Sequence, residues 1–77
     1  MITKKIFLKS VEDIKNFVNE ANLCNSEIDL ISGRYTVNAK SIMGVFSIEL
    51  NDPIILKIYS DDCDDFLSKI QKYIINE

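Results

Sequence analysis

Between Ser10 and Asn22 the chain reads SVEDIKNFVNEAN, and Val11, Ile14, Phe17, Val18 and Ala21 recur in it at helical spacing. Ser10, with Asp13 three residues on, approximates a capping box, and Glu12 and Asp13 place two acids in the favourable first turn. An amphipathic helix ending near Asn22 is therefore expected. One apolar stripe needs a partner surface, and the rest of the chain offers mainly short runs of period two.

Those runs read as strands. In KKIFLK, Ile6 and Leu8 alternate with Lys5, Phe7 and Lys9, which predicts a first strand. EIDLI and RYTVNA flank the turn dipeptide Ser32-Gly33, which predicts a hairpin with Ile28 and Leu30 on one face and Tyr35, Val37 and Ala39 on another. A short helix is expected from Ser41 to about Ile48, ended by the turn signal Asn51-Asp52-Pro53. IILKIYS then supplies a last strand with Ile54, Leu56 and Ile58 inward. A final helix beginning within SDDCDD aligns Cys63, Phe66, Leu67, Ile70 and Ile74.

The order β-α-β-β-α-β-α implies an α+β two-layer sandwich, a four-stranded sheet with its helices on one face. The opposite face is expected to carry Phe7, Ile31, Ile55 and Tyr59 beside Thr36, Asn38 and Lys57. Two readings of that face stay open: scattered exposed apolar residues, or a surface for a partner or for a homodimer. With 77 residues, no internal repeat and no linker, residues 1–77 are expected to form a single domain with a core just large enough to stand alone.

Composition narrows the function. The net charge is −3, the lysines are scattered and Arg34 is the one arginine, so the cation patch of a nucleic-acid binder is missing. No apolar run approaches the ~20 residues of a membrane span, and the start of the chain is too weakly apolar for a signal peptide, which points to the cytoplasm. Heavy use of Ile, Asn and Lys fits an AT-rich bacterial genome.

The chain contains no histidine, so neither a Ser/His/Asp nor a Cys/His nucleophilic set can form, and no enzyme activity is expected. Cys24 and Cys63 are too few and too far apart for a zinc site, and reduced thiols are the default in a reducing compartment. Antiparallel packing of the first and last helices would nonetheless bring the two together. Asp61, Asp62, Asp64 and Asp65 lack the alternating spacing and glycine of a calcium loop and read as a helix start. No metal or other cofactor is expected.

The run GRYTVNAKSIMGVFSIEL, Gly33 to Leu50, is similar to HPr, the phosphocarrier family of the bacterial sugar phosphotransferase system. Lys40-Ser41-Ile42-Met43-Gly44-Val45 matches the family's run at the start of its short middle helix residue for residue, and the element order and length also fit. The resemblance implies the open-faced HPr sandwich with an antiparallel sheet in the order 1-4-2-3. It also locates a departure. The family carries its phosphoryl group on a histidine in the loop before the first helix; here that junction reads FLKSVEDIK, without histidine, arginine, glycine or proline.

Ser10 stands where a phosphate would sit, but Glu12 and Asp13 would repel a dianion, so Ser10 reads as a cap and the chain as a divergent member unable to act as a carrier. Ser41 matches the serine that a dedicated kinase phosphorylates in Gram-positive HPr proteins, and some relatives without the carrier histidine keep it. Cap alone and regulated cap both remain open for Ser41. The resemblance further implies a protein-binding surface at Ile42, Met43 and Phe46, with HPr kinase or a transcriptional regulator as partner. The alternative is a homo-oligomeric structural or interaction protein with this fold and no role in sugar transport.

Overall fold

A computed structural model describes residues 1–48, 52–61 and 63–75. Strand β1 (Ile2–Ile6) leads into helix α1 (Val11–Leu23), and the hairpin β2 (Ile28–Ser32) and β3 (Tyr35–Asn38) follows. Helix α2 (Ile42–Ser47), strand β4 (Ile54–Ile58), helix α3 (Asp64–Lys69) and one 3-10 turn (Gln71–Tyr73) complete the order. The sheet runs β1-β4-β2-β3, antiparallel throughout, and its helices lie on one face, as the sequence implies.

Register explains the core. Ile6 opposes Ile54, while Leu56 and Ile58 on β4 oppose Leu30 and Ile28 on β2, and all six side chains are buried. Helix α1 lays Ile14, Phe17, Val18 and Ala21 on this layer, each large side chain contributing about 1.5–3 kcal/mol by leaving water. Phe17 meets Phe66 of α3 at a centroid distance of 5.9 Å and Tyr73 edge-on at 6.5 Å, so one aromatic of α1 joins it to both C-terminal turns.

Several expectations shift. Val11 begins the helix but stands exposed, and the buried face of α1 starts at Ile14. Strand β1 lies earlier than KKIFLK indicates, since its partner β4 extends only over Ile54–Ile58. The hairpin turns at Gly33-Arg34, one residue later than Ser32-Gly33. Ser32 already pairs with Tyr35, and Gly33 takes the positive φ of 60° that a two-residue turn places at its first central position. Tyr35 shares the side of Val37 but sits at the hairpin tip and is exposed.

The last helix is shorter than its apolar spacing suggests. After Lys69 the chain tightens into the 3-10 turn and runs beside β1, where Ile74 forms a bridge to Ile6. Phe7 N donates to Tyr73 O at 2.9 Å and Ile75 N to Lys5 O at 2.8 Å. Tyr73 is buried by this course, and its hydroxyl has no hydrogen-bond partner among the described residues.

The open face is less apolar than expected. Across the sheet, one row reads Thr3, Lys57, Asp29, Asn38 and the next Lys5, Ile55, Ile31, Thr36. Ile31 and Ile55 are neighbours and half-buried at its centre, and the Tyr59 hydroxyl donates to Asp29 Oδ2 at 2.9 Å. Of the turn Asn51-Asp52-Pro53, Asn51 lies outside the described residues, as does Asp62 of the acidic cluster.

Candidate interaction site around Ser41

Strand β3 delivers the chain to α2 through a tight corner. Ala39 N donates to Ile28 O, which prolongs the β2–β3 ladder by one bond and buries Ala39. Asn38 then holds the corner twice: its side-chain oxygen accepts from Lys40 N at 2.9 Å and its carbonyl from Ser41 N at 3.0 Å. Ser41 leaves the corner in extended conformation, φ −99° and ψ 108°. Its Oγ accepts from Gly44 N at 3.2 Å, and its carbonyl accepts the first helical bond from Val45 N at 3.0 Å. Ser41 is thus the N-cap of α2, exposed to solvent, with no acidic residue in the turn that follows.

Within that turn Val45 alone enters the core. Ile42, Met43 and Phe46 are 38%, 77% and 42% exposed, so three large apolar side chains stand on the surface within six residues of one another. Side chains one, two and five residues past the cap cannot all face inward on a helix whose fourth position is anchored.

Two hydrogen bonds join this corner to the end of α1. Lys40 Nζ donates to Cys24 O at 2.7 Å, and Asn22 Nδ2 donates to Lys40 O at 3.1 Å as well as to Val18 O at 2.9 Å. Lys40 and Asn22 thereby tie the residue before the cap to a helix eighteen positions earlier. Sequence reasoning assigned neither of them a role. Lys40 is visible only as a letter of the KSIMGV run, and no spacing rule connects it to a carbonyl sixteen residues back. Beside them lies a groove of about 450 Å³ lined by Lys15, Asn16, Val18, Asn19, Asn22, Lys40 and Ile42.

The start of α1 is built differently. Ser10 Oγ accepts from Asp13 N at 3.1 Å, and the Asp13 carboxylate reaches back to Lys9 N at 3.2 Å. The Asp13 amide thus already has a partner, and Glu12 adds a second carboxylate to the first turn. At the acidic cluster, Asp61 pairs with the Met1 ammonium at 2.5 Å, and that bond holds its carboxyl below the usual carboxylate range. Asp64 and Asp65 are exposed in the first turn of α3. Among the described residues no group of three or more metal-ligating side chains converges, and no helix is long and apolar enough to cross a membrane. Cys24 and Cys63 are both thiols and line one cleft between the end of α1 and the start of α3.

With the order β1-β4-β2-β3 and a serine cap on the middle helix in place, the family model for the PTS HPr component phosphorylation site matches residues 13–76. The chain belongs to the HPr family. Among solved structures it is similar to HPr-C-His from Thermoanaerobacter tengcongensis, at 25% identity and a TM-score of 0.77 over 94% of this chain and 89% of that one. The phosphocarrier protein HPr of Bacillus anthracis shares 27% identity with a TM-score of 0.74, over 96% of each chain. Crh, a catabolite-repression protein of Bacillus subtilis described as an intertwined, domain-swapped dimer, shares 28% identity with a TM-score of 0.63, over 94% of this chain and 88% of that one. No curated protein matches the sequence.

Membership places the chain among non-catalytic proteins of the phosphotransferase system that act through protein–protein contacts. The match begins at Asp13, beyond the β1–α1 loop, and so leaves out residues 7–10, which contain no histidine in this HPr chain.

Proposed function

We propose that this HPr-family chain is a cytoplasmic, single-domain regulatory or protein-binding module related to sugar transport, switched by phosphorylation of Ser41. The observation that carries the reading is the pairing of an exposed serine cap with an exposed apolar trio, Ile42, Met43 and Phe46, on the same two turns. A phosphate on Ser41 would add close to two negative charges beside those side chains and change what can dock there. Met43, the most exposed of the three, is flexible and polarizable and suits a contact that must adapt to a partner. HPr kinase would write the mark and a transcriptional regulator would read it. The carrier role is absent from this reading, because the chain has no histidine and the α1 start holds Ser10 as a cap with the carboxylates of Glu12 and Asp13 in its first turn.

Incubation with HPr kinase and ATP, followed by mapping of the phosphate, tests the proposal. Phosphate on Ser41, absent from Ser41→Ala, is the expected result; an unmodified chain sinks the regulatory part. The neighbouring pair Ile31 and Ile55 favours one second reading, a homodimer through the open sheet face. Light scattering of Ile55→Lys against the parent chain decides it: a parent that is already monomeric removes the dimer.

A further inference from the structure

Strands β1 and β4 are antiparallel, and each is followed by a helix that turns back over the same face. Helices α1 and α3 therefore run in opposite directions, and the end of one meets the start of the other. Their bodies are held together by the Phe17–Phe66 ring contact, and Lys69 Nζ lies 3.6 Å from Glu20 Oε2 across the same seam. Where the helix ends meet, a cleft of about 510 Å³ opens, with Leu23, Cys24, Asn25 and Ser26 on one wall and Cys63 to Phe66 on the other. The chain has two cysteines, and both line this cleft from opposite walls.

We propose that Cys24 and Cys63 form a thiol–disulfide modification site that reacts with low-molecular-weight disulfides of the glutathione type. Cys24 is half-exposed and follows the helix, so it is the sulfur an external reagent reaches; Cys63, at 6% exposure, is the less accessible of the two. The Cys24 thiolate attacks one sulfur of the reagent RSSR, forming a protein–SR mixed disulfide and releasing RS⁻. Cys63 then gives up its proton, and its thiolate attacks the Cys24 sulfur, expelling the second RS⁻. The two thiols are oxidised, the reagent is reduced to two thiols, and the protein loses two hydrogen atoms.

The bond would fasten the end of α1 to the start of α3. The residue it fastens is also the one whose carbonyl Lys40 holds, next to the Ser41 cap. Closure of the cleft does not require that Ser41 be phosphorylated, so this inference stands or falls apart from the regulatory reading.

The native full-length chain is treated with glutathione disulfide at mildly alkaline pH, and intact mass is read without reductant. The expected product is a monomer lighter by two hydrogens, with a Cys24–Cys63 linked peptide. Cys63→Ser should stop at one glutathione on Cys24, and Cys24→Ser should react much more slowly. The wild-type measurement does not depend on either variant folding. A stable mixed disulfide in the wild type, an interchain disulfide, no modification, or closure seen only in urea would each overturn the proposal.

Discussion

Ser41 is tied into α2 by a single side-chain bond, Oγ to Gly44 N. A six-residue helix has few internal bonds of its own, so the cap is a large share of what holds it. Ser41→Ala should lower the stability of the protein by about 1 kcal/mol, read as a shifted urea midpoint with unchanged slope, and Ser41→Asp should restore most of it. An unshifted Ser41→Ala midpoint would mean that the cap is not what orders α2. A second residue-scale expectation concerns Tyr59. Its hydrogen bond to Asp29 is the largest cause raising its pKa above 10.0, followed by desolvation and the charges of Asp29 and Glu27. A raised pKa means that the folded state holds the phenolic proton more tightly. The contribution is fully present below the ordinary tyrosine value and is lost as pH rises through the folded one. In Asp29→Asn the Tyr59 ring, followed by NMR, should titrate closer to the ordinary value, and stability at neutral pH should not acquire a new pH dependence. A Tyr59 midpoint identical in both proteins would remove Asp29 as the cause.

At the scale of elements, the hairpin is where one backbone angle decides the structure. Gly33 takes φ 60°, and a Cβ built there would meet no atom within 4 Å. Gly33→Ala should therefore cost about 1 kcal/mol through backbone strain alone, and Gly33→Asn less, since asparagine tolerates the left-handed region better. Equal losses for the two would point to a contact instead. The same hairpin shows what the residues made legible. Period-two runs located β2, β3 and β4, helical spacing after Ser10 located α1, and Ser41 with the turn signal downstream located α2, each serine proving a cap. The expectation for α3 failed in an instructive way. Cys63, Phe66, Leu67, Ile70 and Ile74 keep helical spacing, yet the helix stops at Lys69. Past Lys69 the chain instead meets the demand for partners along the outer edge of β1 and just beyond it, where Tyr73 O accepts from Phe7 N and Ile75 N donates to Lys5 O. That demand arises from an element nearly seventy residues earlier and leaves no local mark. The Lys40–Cys24 and Asn22–Lys40 bonds escaped notice for the same reason: they are properties of how α1 and the β3–α2 corner approach each other, not of either segment.

For the whole molecule, the two sheet edges carry different protection. Strand β3 is four residues long, and its last carbonyl is already committed to Ser41 N, so it offers little ladder to another chain. Strand β1 is longer and lies at the opposite edge, and residues 73–75 cover its C-terminal end, from Lys5 on, through the bridge at Ile74 and the bonds on either side. These residues follow α3, whose hold on the core runs through Phe66, so the cover is attached by a short tether that one substitution can weaken. Ile75→Pro deletes the donor to Lys5 O without touching a side chain of the central sheet. The loss should be about 1–3 kcal/mol in urea unfolding, the cost of stranding a backbone acceptor. The bared edge should also make the chain self-associate as its concentration rises, visible as a growing mass by light scattering, whereas Ile55→Lys changes the open face and leaves this edge covered. A destabilised but strictly monomeric Ile75→Pro would show that β1 is protected by its own residues, Lys4 and Lys5 among them, and that the C-terminal segment serves only to bury Tyr73.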